Sequence, residues 1–302
     1  MRVAVTGASG RLGRALVTAL EEAPFTGPFG PIAWTRPAFD VDRPARYPAL
    51  LDRDRPEVIV HAAAWTDVEA CARDPELAMA RNGTATGALA RAAAERGVDL
   101  VFVSTNEVFD GRPAEPRAYR PADATAPINA YGRSKLAGEQ SAAEAFANRS
   151  AGLGIVRTAW LFGPPGNDFP AKILAAADRA RAAGEPLRLV RDEVGSPSYT
   201  LDVAEAIAEL IGANEVAGIH HVVNSGQATR KEWAEEVFRQ AGVTVGTEGV
   251  PAAEFARASS PPAFGILEPS PLPGGEPLRT WQAATADYLP RLLRQRAAAA
   301  SG

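Results

Sequence analysis

The N-terminal stretch constrains this chain more than any other. Val3-Ala4-Val5-Thr6 is a short apolar run suited to a buried strand, and it passes directly into Gly7-Ala8-Ser9-Gly10-Arg11-Leu12-Gly13 and a helical pattern through Leu20. Strand, glycine turn and helix in that order make the first half of a parallel β–α–β unit. The glycines permit a tight turn and the close approach of a pyrophosphate, which the free N–H groups and dipole of the helix N-terminus attract. Gly7, Ser9, Gly10, Arg11, Leu12 and Gly13 are therefore the expected seat of a dinucleotide.

The rest of the chain extends the same alternation. Strands are expected at 31–35, 58–61, 98–105, 154–160 and 219–224, with helices at 47–54, around Cys71, at 75–96 and from Tyr131 onward. Strands separated by helical patterns argue for a parallel sheet wound on both faces. The expected fold class is α/β, a Rossmann-type doubly wound sheet with a smaller, discontinuous α/β lobe. The dinucleotide-binding domain is placed at 1–163 and receives 196–224; the substrate-binding lobe takes 164–195 and 225–302. Helices are expected at 167–184, 202–211, 229–240 and 277–300, a strand at 187–190, a proline-rich loop at 112–127, and little periodicity between Val250 and Pro277.

Ligands of an open parallel sheet sit beyond the carboxyl ends of its strands. That places Thr105 at the crevice, and the small residues Ala62, Ala63 and Ala64 where a cofactor passes close to the backbone. After the second strand a fold selecting NAD carries an acidic residue for the ribose, but this chain reads Thr35-Arg36. Arg36, with Arg11, is suited to the 2′-phosphate of NADPH, with NADH as the alternative; Asp40 and Val41 would border the adenine.

Composition narrows the function. With 302 residues and a net charge of −4 the chain has no basic footprint, which argues against nucleic acid as a partner. No apolar run approaches the ~20 residues of a membrane span and no leader pattern opens the sequence, so a cytoplasmic protein is expected. A lone cysteine, Cys71, and three histidines give no basis for a metal site. Lysine occurs only at positions 135, 172 and 231.

One of those lysines belongs to Tyr131-Gly132-Arg133-Ser134-Lys135. On a helix, positions 131 and 135 share a face. An ammonium fixed beside a phenol favours the phenolate, so the expectation is a tyrosine able to exchange protons nearer neutrality.

The glycine turn, Ser104-Thr105 at the end of the fourth strand, and Tyr131-x-x-x-Lys135 together resemble the extended short-chain dehydrogenase/reductase superfamily. Ala62-Ala63-Ala64-Trp65-Thr66, Val108-Phe109-Asp110-Gly111, Asn129 through Glu139, Arg157 through Gly163, and Gly195 through Thr200 resemble its dTDP-4-dehydrorhamnose reductase branch. The resemblance implies hydride transfer from NADPH or NADH to C4 of a dTDP-linked 4-keto-6-deoxy sugar. Tyr131 would donate the proton, Lys135 would bind the nicotinamide ribose and lower the tyrosine's pKa, and Thr105 would bond the carbonyl oxygen. Thr66, Asn106, Glu107 and Trp160 are the candidate substrate contacts. Asn106-Glu107 stands where the family has Asp-Tyr, and the usual Arg-Pro of the tail reads Pro261-Pro262. The position matching a metal-holding glutamate of the family's dimers is Ala15, so no metal is expected; a homodimer is compatible. Two other readings share the motifs: an NAD-retaining sugar-nucleotide epimerase or dehydratase, and a non-catalytic dinucleotide-binding regulator of the same fold.

Overall fold

The computed structural model describes residues 1–113, 115 and 117–300. Ala114 and Pro116, in the expected loop 112–127, and Ser301 and Gly302, at the end of the expected lobe, lie outside the described residues. Five strands follow one another in chain order: β1 Val3–Thr6, β2 Ile32–Trp34, β3 Val58–His61, β4 Asp99–Thr105 and β5 Leu153–Thr158. With Gly218–His221 they form a six-stranded parallel sheet ordered β2-β1-β3-β4-β5 and then Gly218–His221. The order reverses between β1 and β3, the switch point at which a crevice opens beyond the strand ends.

Both faces of the sheet are covered, which is why its strands read as continuous apolar runs. On one face, helix α1 (Arg11–Glu22) packs Leu16 and Leu20 against Val203, Ile207 and Ile211 of the helix Thr200–Gly212. On the other, Leu50 and Leu51, Leu89 and Ala93, and Phe146 close over Ile59 and Leu100. A separate core built on Phe162, Leu174, Trp233, Val237, Tyr288 and Leu292 belongs to the C-terminal lobe. There the helices Phe169–Ala183, Arg230–Ala241 and Trp281–Ala300 surround two small sheets, Leu187–Val190 with Thr247–Val250, and Val194–Gly195 between Ala228–Thr229 and Phe264–Gly265. The strand Gly218–His221 returns to the large sheet beside β5, and Leu272 and Leu278 of the tail pack against the first core.

Several elements differ from the sequence expectation for identifiable reasons. The helix expected at 75–96 is interrupted: Met79–Thr84 forms a π-helical turn between Pro75–Ala78 and Ala85–Glu95. Its buried Asn82 accepts from Trp65 N at 2.7 Å and donates to Trp65 O and to Ser134 Oγ, both at 3.0 Å, so the turn is occupied in positioning the loop after β3. β5 stops at Thr158, and Trp160 takes a left-handed backbone with φ of 42° instead of continuing the strand. The last helix starts at Trp281 rather than Pro277 because the preceding residues pair with Ser225, Ser225 N donating to Arg279 O and Trp281 N to Ser225 O. Within the tail, Phe264–Gly265 is a strand, held in register with Val194–Gly195.

Candidate active site

The glycine turn is a cradle made of backbone. Gly7 has a φ of +64°, which a side chain rarely tolerates, and its missing Cβ leaves room for Ala63. A Cβ on Gly13 would stand 2.0 Å from Gly7 O, so α1 can approach β1 only with glycine there. Gly10 caps α1 without any side-chain hydrogen bond, which leaves the N–H groups of the first turn free for an anion.

From this turn a cavity of about 940 Å³ runs past the ends of β1, β3, β4 and β5. Gly7, Ser9, Gly10, Arg11, Leu12, Gly13, Arg36, Val41, Ala62, Ala63, Ala64, Thr66, Thr105, Asn106, Glu107, Tyr131, Lys135 and Trp160 all line it, so every candidate residue but one meets in a single space. The exception is Asp40, which is turned into its own loop: its carbonyl accepts from Tyr47 Oη at 3.1 Å and its carboxylate from Asp42 N at 3.1 Å. Phe39 and Val41 line the cavity in its place.

Arg11 also requires correction. Its guanidinium donates to Gly163 O at 2.6 Å, to Asn167 O and to Asp168 Oδ2 at 3.1 Å. Those donors tie the glycine turn to the lobe, whose first helix Asp168 caps through Ala171 N, so they are spent before any 2′-phosphate arrives. Arg36 differs: among the described residues it has neither an ion pair nor a hydrogen bond, and it sits at the mouth of the cavity after β2.

The helix Ala130–Phe146 presents Tyr131 and Lys135 on one face, as the spacing requires. Asn129 caps it, Oδ1 accepting from Gly132 N at 2.7 Å, a contact typically worth about 1 kcal/mol. The helix lies hard against the turn after β4, since a Cβ on Gly132 would fall 2.0 Å from Glu107 O. Below it, Arg157 binds Glu139 through two hydrogen bonds of 3.0 and 2.7 Å, and Ser104 Oγ donates to the same carboxylate at 2.5 Å. Removing one partner of so buried a pair costs about 3–5 kcal/mol, so this brace holds the helix to β4 and β5.

The electrostatics of Tyr131 differ from the sequence expectation. Lys135 Nζ donates to Val103 O at 2.8 Å and lies 4.1 Å from the centre of the Phe102 ring, directed at β4. Burial lowers its pKa to about 7, with Glu139 opposing. The phenol of Tyr131 is pushed well above its ordinary value, first by burial and then by the Glu107 carboxylate, while the Thr105 hydroxyl opposes the shift. The group is therefore a firmly protonated donor in the free protein rather than a phenol softened by Lys135. His61, whose pKa burial lowers to about 3, is a neutral structural residue between Thr6 Oγ1 at 2.8 Å and Thr86 Oγ1 at 3.1 Å.

The Asn106-Glu107 pair divides into two tasks. Asn106 is buried, and its amide donates to Gly265 O at 3.1 Å, stapling the tail to the end of β4 in a way no carboxylate could. Glu107 faces the cavity. Burial raises its pKa, with the Asn129 hydrogen bond and Arg230 pulling the other way.

Arg230 escaped the sequence reading. It is the first residue of its helix, directly after the Thr229 cap whose box with Glu232 forms as the spacing indicates. Its guanidinium carbon lies 3.5 Å from the centre of the Trp160 ring, its side chain is only 25% exposed, and burial lowers its pKa to about 10. Arg230 also lines a second cavity of about 350 Å³ in the lobe, together with Lys172, Arg188, Glu193, Phe255 and Arg257. Nothing in its local sequence distinguishes it from a solvated helix arginine. Ala15 is buried in the first core, and no group of three or more His, Cys, Asp or Glu side chains able to hold a metal occurs among the described residues. No described helix is long and apolar enough to cross a membrane.

Comparison with known proteins places this arrangement. The chain matches the family model of the RmlD substrate binding domain over residues 1–294. It is 36% identical over 294 residues to the dTDP-4-dehydrorhamnose reductase of Mycobacterium tuberculosis, an alignment covering 95% of this chain and 92% of that protein. Among solved structures, the dTDP-4-dehydrorhamnose reductase of Clostridium acetobutylicum aligns with a TM-score of 0.87 at 28% identity, covering 97% of this chain and 100% of that one. The Bacillus anthracis enzyme in complex with NADP aligns with a TM-score of 0.84 at 30% identity, covering 96% and 99%. The chain belongs to this RmlD family of sugar-nucleotide reductases with a short-chain dehydrogenase/reductase-like fold.

Proposed function

We propose that this protein reduces the 4-keto group of a dTDP-linked 4-keto-6-deoxy sugar with NADPH, Tyr131 supplying the proton. The observation that carries the reading is the continuity of one cavity from the uncapped N-terminus of α1, past Thr105, Tyr131 and Lys135, to Trp160 and Arg230. It is an NAD(P)H-dependent oxidoreductase, as its family membership implies.

The residues present fit a nicotinamide dinucleotide. The glycine cradle is one that a Cβ would fill, the first-turn N–H groups of α1 are free, and the buried Thr158 Oγ1 on the cavity wall has no hydrogen-bond partner. The backbone from Gly7 to Gly13 would hold the pyrophosphate, Ala62–Ala64 would let the cofactor pass, and the unspent guanidinium of Arg36 favours the additional phosphate of NADPH. The relative from Bacillus anthracis was solved with NADP, which is in keeping with NADPH binding here. When bound, the reduced nicotinamide supplies the hydride.

The remaining work falls to side chains. Thr105 Oγ1 donates to the ketone oxygen and stabilises the charge that develops there. Tyr131 then gives its proton to the nascent alkoxide; a phenol whose proton affinity is raised by burial is protonated throughout the neutral range, which suits it to donation in the reductive direction. Lys135 would hold the ribose. Beyond the sugar, Lys172 lines the second cavity with Arg188, Arg230 and Arg257; the three arginines are paired with Glu254 or Glu193, and the excess of positive charge is suited to the nucleoside diphosphate.

The test is loss of reduced nicotinamide on mixing the protein with NADPH and a panel of dTDP-4-keto-6-deoxy sugars. Turnover is expected with at least one sugar, and Tyr131→Phe should reduce kcat by roughly 10²–10⁴-fold while NADPH affinity stays within about threefold. Equal rates for the two proteins would remove Tyr131 from the mechanism, and tight cofactor binding without turnover of any sugar would refute the reductase reading.

A further inference from the structure

Among the described residues, Glu107 is the one acidic side chain on the wall of the main cavity. One carboxylate oxygen, Oε2, accepts from Asn129 Nδ2 at 2.6 Å; Oε1 has no protein partner and is not enclosed. The residue is held firmly. Its backbone N–H donates to Thr105 Oγ1 at 3.2 Å, its carbonyl is pressed against Gly132, and Asn129 is itself fixed by Gly132 N and Ser260 O. Arg230 lines the same cavity, near enough for each group to stabilise the other's charge but without a direct ion pair between them. A rigid acceptor with a spare oxygen therefore faces the sugar position next to Tyr131 and Thr105.

The chemistry of a 4-keto-6-deoxy sugar leaves little choice of donor. The carbon being reduced has two ring neighbours: one bears the methyl group and the ring oxygen, and the other, C3, bears a hydroxyl. Resting on the reductase reading above, we propose that Glu107 is a specificity-determining residue that accepts a hydrogen bond from the C3 hydroxyl of the sugar, so that the enzyme selects 3-hydroxy over 3-deoxy 4-keto sugars. The contact orients the ketone between Thr105 and Tyr131. An acceptor that the bound sugar cuts off from water, and that a 3-deoxy sugar leaves unpaired, costs its own desolvation, and for that reason hydrogen-bonded sites reject analogues lacking the partner.

The experiment compares kcat/KM for a dTDP-4-keto-6-deoxy sugar and its 3-deoxy counterpart in wild type, Glu107→Gln and Glu107→Ala, each checked for unchanged NADPH affinity. Wild type is expected to prefer the 3-hydroxy sugar by roughly 10–100-fold. Glu107→Ala should collapse the preference to about threefold or less, chiefly by losing rate on the 3-hydroxy sugar, and Glu107→Gln, which keeps an acceptor, should fall between. If Glu107 served only to support Asn129 and the helix cap, both sugars would slow together and the ratio would stay as in wild type; that result overturns the inference and leaves the reductase reading standing. Calorimetric binding of the two reduced sugar nucleotides reads the same contact without turnover. Equal affinities in wild type, or no binding of either, would overturn it as well.

Discussion

The two ends of the cavity are built in different ways. At the end proposed for the cofactor the cavity wall is mostly main chain and small side chains, contributed by one contiguous stretch from β1 through α1 and by the small residues after β3. At the end proposed for the substrate it is side chains gathered from distant segments: Glu107 after β4, Tyr131 on the next helix, Trp160 after β5, and Arg230 from the lobe. A main-chain site depends on which residues lack a side chain, whereas a side-chain site depends on how separate pieces pack. The first depends above all on its glycines, with Arg36 and Lys135 as the side chains added to it; the second can change ligand by exchanging single residues on an unaltered frame.

Paired substitutions test that contrast. The largest effect is expected from Gly13→Ala, whose Cβ would stand 2.0 Å from Gly7 O and force β1 and α1 apart; NADPH affinity should fall by at least about 100-fold in a fluorescence titration. Arg230→Ala makes the opposite cut. It should leave NADPH affinity unchanged and raise KM for the sugar nucleotide about 10–30-fold, in keeping with loss of one charge-assisted contact. A change in cofactor affinity as large as the change in KM would show that the two ends are not separable.

A smaller effect is expected within the cofactor end itself. Arg36→Ala should weaken NADPH by about tenfold and NADH hardly at all, with the NADPH loss shrinking as salt rises. Equal effects on both cofactors would deny Arg36 its place at the 2′-phosphate. The smallest effect concerns stability. Burial lowers Lys135 to about 7 from an ordinary 10.5, so between those values the unfolded chain binds more protons and stability rises with pH. The cost of the buried ammonium is thus full below about pH 7 and relieved toward pH 10. Lys135→Met should raise the thermal midpoint of the cofactor-free protein most near pH 6 and least near pH 10; a pH-independent difference would contradict the assigned burial cost.

The same contrast explains what could be read before the fold was known. The glycine spacing, the strand ending at Thr105 and the Tyr131–Lys135 pair are local patterns, and the structure brings all of them to one cavity. Arg230 could not be found that way, because its role comes from a neighbour, Trp160, that the fold turns toward it with an unusual backbone angle. The π-helical turn at Asn82 is likewise invisible to a helical pattern, which it interrupts over only Met79–Thr84. Arg11 and Asp40 show the converse. Their positions along the chain are right for a cofactor contact, but Arg11 is claimed by Gly163, Asn167 and Asp168, and Asp40 by its own loop. In the free protein burial and the Glu107 carboxylate raise the Tyr131 phenol, and Lys135, expected to soften it, is directed at Val103 O.

The central claim, that hydride passes through this cavity to C4 of a keto sugar with Tyr131 completing the reduction, is tested most directly by isotope transfer. The protein is incubated with nicotinamide-deuterated NADPH and a dTDP-4-keto-6-deoxy sugar, and the sugar product is analysed by mass spectrometry and NMR. Deuterium at C4, present with wild type and absent over the same interval with Tyr131→Phe, is the predicted result. A sugar altered in configuration but carrying no label, or label appearing at the same rate in both proteins, would contradict the account.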